Sequence, residues 1–155
     1  MITNFNKLPD SSRIWIYAAE KSLTAEQQNH ILTYITEHLK GWNAHKIPLT
    51  AGLTILENHF IVVALDENIN AASGCSIDTL QKTIQELEKD LTISLLNRLN
   101  VFCIIDDKIH SIPTTKLAEY ANKKTLFYDL TIQKKGDLSN WLKSVEDGWC
   151  VHLIL

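Results

Sequence analysis

An α+β fold of the ferredoxin-like type, a βαββαβ sandwich with a C-terminal β/α extension, is what this 155-residue chain predicts. Three observations carry the prediction. The first two-thirds alternates strand-like and helix-like segments in the order β-α-β-β-α-β. The first and third strand segments, "RIWIYAA" (13–19) and "FIVVAL" (60–65), are apolar almost throughout. In that fold these two strands lie in the middle of the sheet, where burial on both faces demands such a sequence. The two helix-like segments each carry a one-sided apolar stripe, so both are predicted to pack on one face of the sheet.

Residues 1–12 are polar, contain Pro9 and two serines, and read as a loose arm. The first helix is predicted over "TAEQQNHILTYITEHLKGW". Thr24 and Gln27 form a capping box, and Ile31, Ile35, Leu39 and Trp42 recur at helical spacing up to a stop at Gly41. Trp42 continues the stripe and is predicted to be buried. Residues 48–67 read as two strands around a turn at Glu57-Asn58-His59. The second helix follows "ASGCSID" (72–78) and aligns Ile77, Leu80, Ile84, Leu87 and Leu91. "VFCIID" (101–106) is the fourth strand, and Asp106-Asp107-Lys108 turns it into a returning "IHSI". Residues 107–155 are expected to extend the same single domain. They read as a short helix "KLAEYANKK" capped by Thr114 or Thr115, a strand "TLFYDLTI", a helix "LSNWLKSV" and an apolar end "WCVHLIL". For that end a strand and a docked tail fit equally well.

Composition narrows the function classes. Apolar residues make up 45% and charged residues 21%, as in ordinary globular proteins. A formal net charge of -3 gives no basic footprint for nucleic acid. No apolar run approaches the ~20 residues that span a bilayer, and the N-terminus does not read as a signal peptide, so a cytoplasmic location is expected. Cys75, Cys103 and Cys150 are widely spaced free thiols in that compartment, with Cys103 buried mid-strand. No CxxC pair appears, no metal site is expected, and no cofactor is implied. His30 and His38 lie eight apart on the first helix with no third ligand. Asp66, Glu67 and Asp78 are acidic loop positions expected to face water.

The segment that looks written for chemistry is Ala72 to Asp78. Gly74 permits a sharp turn, Ser73 or Ser76 can cap the second helix, and Asp78 in the first turn would complement the helix dipole. Cys75 would then sit at a helix N-terminus, where a thiolate is favoured and free N–H groups can hold a phosphate or carboxylate. The alternative is a cap with a small, partly buried cysteine, and that is the reading preferred here. Ser73, Gly74, Cys75, Ser76 and Asp78 are the candidate ligand-binding set. Cys75 with His45 is the candidate catalytic pair.

"WNAHKIPL", "HFIVVALDE" and "ASGCSID" together resemble an uncharacterised family of short bacterial proteins with a Gly-Cys-Ser-Ile-Asp run. Some members carry the label "ABC transporter ATPase". The chain has no G-x-x-x-x-G-K-[ST] run, so an ATPase activity is not expected. The resemblance implies Trp42 and His45 as companions of Cys75. Short connections would place the His45 and Cys75 loops at opposite ends of the sheet, which weighs against a Cys–His nucleophile pair. The sequence therefore points to a non-catalytic module for a small anionic ligand or a protein partner, a second copy of itself included. A thiol enzyme or redox-responsive protein using Cys75 is the alternative.

Overall fold

The structure, a computed structural model, describes residues 1–155. It is mixed α and β with antiparallel sheets, and its chain divides into two compact units. The first comprises Met1–Leu96 with Gln133–Gly136, and the second Asn97–Ile132 with Asp137–Leu155.

In the first unit, β1 (Arg13–Ala18), β4 (Ala51–Leu56) and β5 (Phe60–Leu65) form a sheet ordered β1–β5–β4. β5 runs antiparallel to both neighbours, with Trp15 opposite Val63 and Val63 opposite Leu53. The central position of β5 explains its unbroken apolar sequence: all six of its residues are buried. β1 and β4 therefore run parallel with β5 inserted between them, and β1, expected in the middle of the sheet, is the outer strand of these three. The helices are α1 (Ala25–Lys40) and α2 (Gly74–Leu91). They bury Ile31, Ile35, Leu39, Leu80, Ile84 and Leu87 in one core with Tyr17, Ile61, Val63 and Leu65. α1 begins at the Thr24–Gln27 capping box, with both reciprocal bonds made.

Two expectations about the edges of this sheet need correction. The fourth strand, β6 (Asn100–Ile105), does not join it. The free edge of β1 is met instead by the strap Gln133–Gly136: Ile14 N–H donates to the Gln133 carbonyl at 3.0 Å, and Lys135 N–H to that of Ser12 at 2.8 Å. Residues 1–12 are not loose. Ile2 bridges Ala51, Thr3 N–H donates to the Ala51 carbonyl at 2.8 Å, and Phe5 and Leu8 are buried. Gly52 makes this docking possible, because a Cβ there would lie 2.5 Å from the Thr3 carbonyl oxygen. The Lys135 ammonium donates to the Leu8 carbonyl at 2.7 Å and fastens the arm.

α2 ends at Thr92 in the left-handed region, φ 53°. A β-branched residue is a poor choice there and glycine a good one. Thr92 is exposed, so little packing offsets the strain. Thr92→Gly is expected to raise stability by about 1 kcal/mol, read as a higher denaturant midpoint at unchanged slope.

The second unit is a four-stranded antiparallel sheet ordered β7–β6–β8–β9, with β7 at Lys108–Pro113, β8 at Leu126–Tyr128 and β9 at Leu142–Ser144. The turn between β6 and β7 puts Asp106 and Asp107 at positive φ, as a two-residue hairpin loop requires. The short helix α3 (Leu117–Tyr120) lacks the side-chain cap expected from Thr114 or Thr115. The strand expected through residue 132 stops at Tyr128, because the Asp129 carboxylate turns back to accept the Thr131 N–H at 2.9 Å. Burial alone would raise this carboxyl. The Lys143 ammonium at 2.8 Å and the Thr131 donors outweigh it and hold the carboxyl below its ordinary value. The helix expected at "LSNWLKSV" is absent: Lys135–Ser139 is a 3-10 turn and the rest supplies β9. The apolar end docks as a 3-10 turn, Val151–Leu153, with Cys150 fully buried in a core with Cys103, Phe127 and Val145.

Candidate functional site

The residues singled out from the sequence meet at one end of the first unit. After α1, Gly41 leads into a small hairpin of β2 (Asn43–Ala44) and β3 (Ile47–Pro48). Its loop is His45-Lys46, both at positive φ, 52° and 68°. Histidine tolerates that region better than lysine, so the hairpin tip stores modest strain. Trp42 anchors the corner. It is 2% exposed, meets Trp15 edge-on with centroids 5.8 Å apart, and donates its indole N–H to the Ser76 carbonyl at 2.8 Å. That bond ties the exit of α1 to the entry of α2.

The expectation that the His45 and Cys75 loops lie at opposite ends of the sheet is therefore wrong. β1 leads away from this end, α1 returns to it, and β5, antiparallel to β1, delivers the chain to the same end before α2 starts. Both residues line one cleft of about 630 Å³, together with His38, Trp42, Ser73 and Ser76.

At the start of α2, Ser73 is the N-cap. Its hydroxyl accepts the Ser76 N–H at 3.1 Å, while the Ser76 hydroxyl oxygen accepts the Ser73 N–H at 2.8 Å. Ser76 is buried and therefore a structural member of the cap. The Gly74 and Cys75 N–H groups take no part in these bonds. Two expectations fail here. Cys75 is exposed rather than partly buried, because the second helical position projects outward once Ser73 and Ser76 close the box. Asp78 lies beyond the first turn and is exposed, so it does not complement the helix end, and it is not among the cleft residues. No hydrogen bond joins Cys75 to His45.

His38, which the sequence offered only as a metal-ligand candidate without a third partner, belongs to this site. Its Nε2 is buried without a hydrogen-bond partner, and its ring lies 6.1 Å from that of Trp42. Burial pushes the His38 imidazole below its ordinary value, with the Glu86 charge opposing. His38 lines both the cleft and an adjoining groove of about 730 Å³ between α1 and α2. Its place on the buried-side flank of α1, one turn before Trp42, was readable from helical spacing.

The other thiols are unlike Cys75. Cys103 is fully buried, and burial together with Cys150 pushes it up to about 12. Cys150 is raised by burial as well. Asp66 accepts the Asn68 N–H at 3.0 Å and Glu67 the Ala72 N–H at 3.2 Å, so both shape the loop before α2. No three His, Cys, Asp or Glu side chains gather as a metal would need. No helix is long and apolar enough to cross a membrane. No family model, curated protein or solved structure matches the chain.

Proposed function

We propose that the chain is a small-ligand-binding module whose site is the cleft at the start of α2. The observation that supports this reading is convergence: one 630 Å³ cleft brings together the capped entry of α2, the buried Trp42 and the unpartnered His38. A volume of that size suits a small molecule. The helix end favours an anion, because open N–H groups and the dipole act together. Lys46 and Asn43 add donors at the rim, against the single carboxylate of Glu37.

A second reading, thiol chemistry at Cys75, gains from the exposed thiol sharing the cleft with two histidines. It lacks a hydrogen-bonded base. Alkylation separates the two. Cys75 is expected to react at least tenfold faster than Cys103 and Cys150. Saturating inorganic phosphate or citrate is expected to slow Cys75 and to raise the melting temperature, with a gain of about 2.7 kcal/mol at 100 times the Kd. Neither anion having an effect, with a Cys75 rate that levels off well below the ordinary thiol range near pH 8.5, would favour the enzyme reading.

A further inference from the structure

The groove between α1 and α2 contains a carboxylate with two candidate partners and only one engaged. The Tyr34 hydroxyl donates to the Glu86 carboxylate across the groove, and this bond raises the Tyr34 phenol. His38 lies four residues after Tyr34 on α1, so the two side chains share a face one turn apart. Tyr34, His38 and Glu86 line the same groove. While His38 is neutral, its buried Nε2 goes unpartnered, a modest but standing cost.

We propose that Glu86 is the movable part of a proton-operated latch, holding the Tyr34 hydroxyl while His38 is neutral and turning to the His38 imidazolium when the pH falls. The proton comes from solvent and makes both ring nitrogens donors. An imidazolium buried without an acceptor is far costlier than the neutral ring, so it draws on a carboxylate that lines the same groove.

The surroundings leave Glu86 as that carboxylate. On α1, Glu37 pairs with Lys40 at 2.9 Å, and the His30 ring faces Asp90 of α2 at 3.7 Å. On α2, Lys82 is of the wrong sign, Cys75 lines only the adjoining cleft, and the Thr79 and Thr83 hydroxyls donate to the Ser76 and Thr79 carbonyls. On the hairpin, His45 and Lys46 line the cleft and carry no carboxylate. Glu86 is exposed and tied by one bond, so it can turn without disturbing the core.

The sign of the pH effect follows. The folded state lowers the His38 value, so the unfolded chain takes the proton more readily. The stability tied to neutral His38 is complete above the ordinary histidine range and declines as the pH falls through it. Glu86 limits that decline. Tyr34 and Glu86 line the groove alone and His38 lines both groove and cleft, so the latch stands on this geometry whether or not the cleft binds a ligand.

Histidine ring NMR between pH 8 and 4.5, with the His38 signal identified by His38→Gln, tests the proposal. Glu86→Gln is expected to move the His38 midpoint lower, because the acceptor is lost. Tyr34→Phe is expected to move it higher, because Glu86 is released. The Tyr34 ring signals should follow the His38 midpoint in the unaltered protein. A His38 midpoint unchanged by both substitutions, or Tyr34 signals that ignore His38, would overturn the latch. Both substitutions leave core side chains in place, so the folded protein remains measurable.

Discussion

Replacing Trp42 with alanine is expected to cost about 3–5 kcal/mol, the range for removing a large buried ring. Trp42 is 2% exposed and packs in the core of the first unit. Its truncation removes three things together: the buried volume, the edge contact with Trp15, and the indole bond to the Ser76 carbonyl. Volume dominates. The aromatic contact is worth about 0.5–1.5 kcal/mol. The hydrogen bond is worth about 1 kcal/mol, because the Ser76 carbonyl still accepts the Thr79 hydroxyl at 2.8 Å. Trp42→Phe should therefore lose much less than Trp42→Ala. Urea denaturation of both variants measures the order. Equal losses would show that the indole N–H, rather than its volume, holds the corner.

Gly148→Ala is the second large effect. The glycine is at φ -115°, which any residue tolerates, so the requirement is space and not backbone freedom. A Cβ would lie 2.1 Å from Cζ of Phe127 and 2.4 Å from Cε1. Phe127 is fully buried in the core of the second unit with Cys103, Cys150 and Val145, so any shift of its ring is made against packed neighbours. Overpacking of this kind costs about 3 kcal/mol. Phe127→Leu also destabilises, by leaving a cavity. The pair together should cost less than the sum, because the smaller side chain makes room for the new methyl group. Strict additivity in thermal unfolding would show that the overlap is relieved elsewhere.

The parts of the fold legible in the sequence are those where local and long-range signals agree. α1 has a capping box, a 3.6-residue stripe and a glycine stop, and all three act on the same segment. β5 reads as central because only burial on both faces explains six apolar residues in a row. The last third misleads because Leu138, Trp141, Leu142 and Val145 recur at helical spacing, yet pairing with β8 captures 142–144 as a strand. Short segments of this kind take their conformation from partners that lie far along the chain. In the site, a serine cap at the start of α2 was legible from the local run of hydroxyls, with Ser73 and Ser76 both fitting it, and the structure assigns the N-cap to Ser73. The exposure of Cys75 was not, since it follows only once Ser73, and not Ser76, is fixed as the N-cap. The meeting of His45 with Cys75 depends on strand direction, and misjudging that direction separated residues that share a cleft. The position of His38 on α1 was readable from helical spacing, but its unpartnered nitrogen was not, because that is a property of surroundings and not of residue type.

The strap at Gln133–Gly136 bears on how this protein can be taken apart. The first unit is discontinuous in sequence, so a fragment ending at Leu96 would carry the sheet but lack the backbone that satisfies one side of it. Ile14 would lose the acceptor of its N–H, and the Leu8 carbonyl would lose the Lys135 ammonium. A bare, apolar β1 is a template for pairing with other chains. Such a fragment would be driven toward self-association by the same edge that the intact chain covers with four residues from a distant part of its own sequence. Dissection by circular permutation, which keeps residues 133–136 on the chain, avoids that outcome where simple truncation invites it.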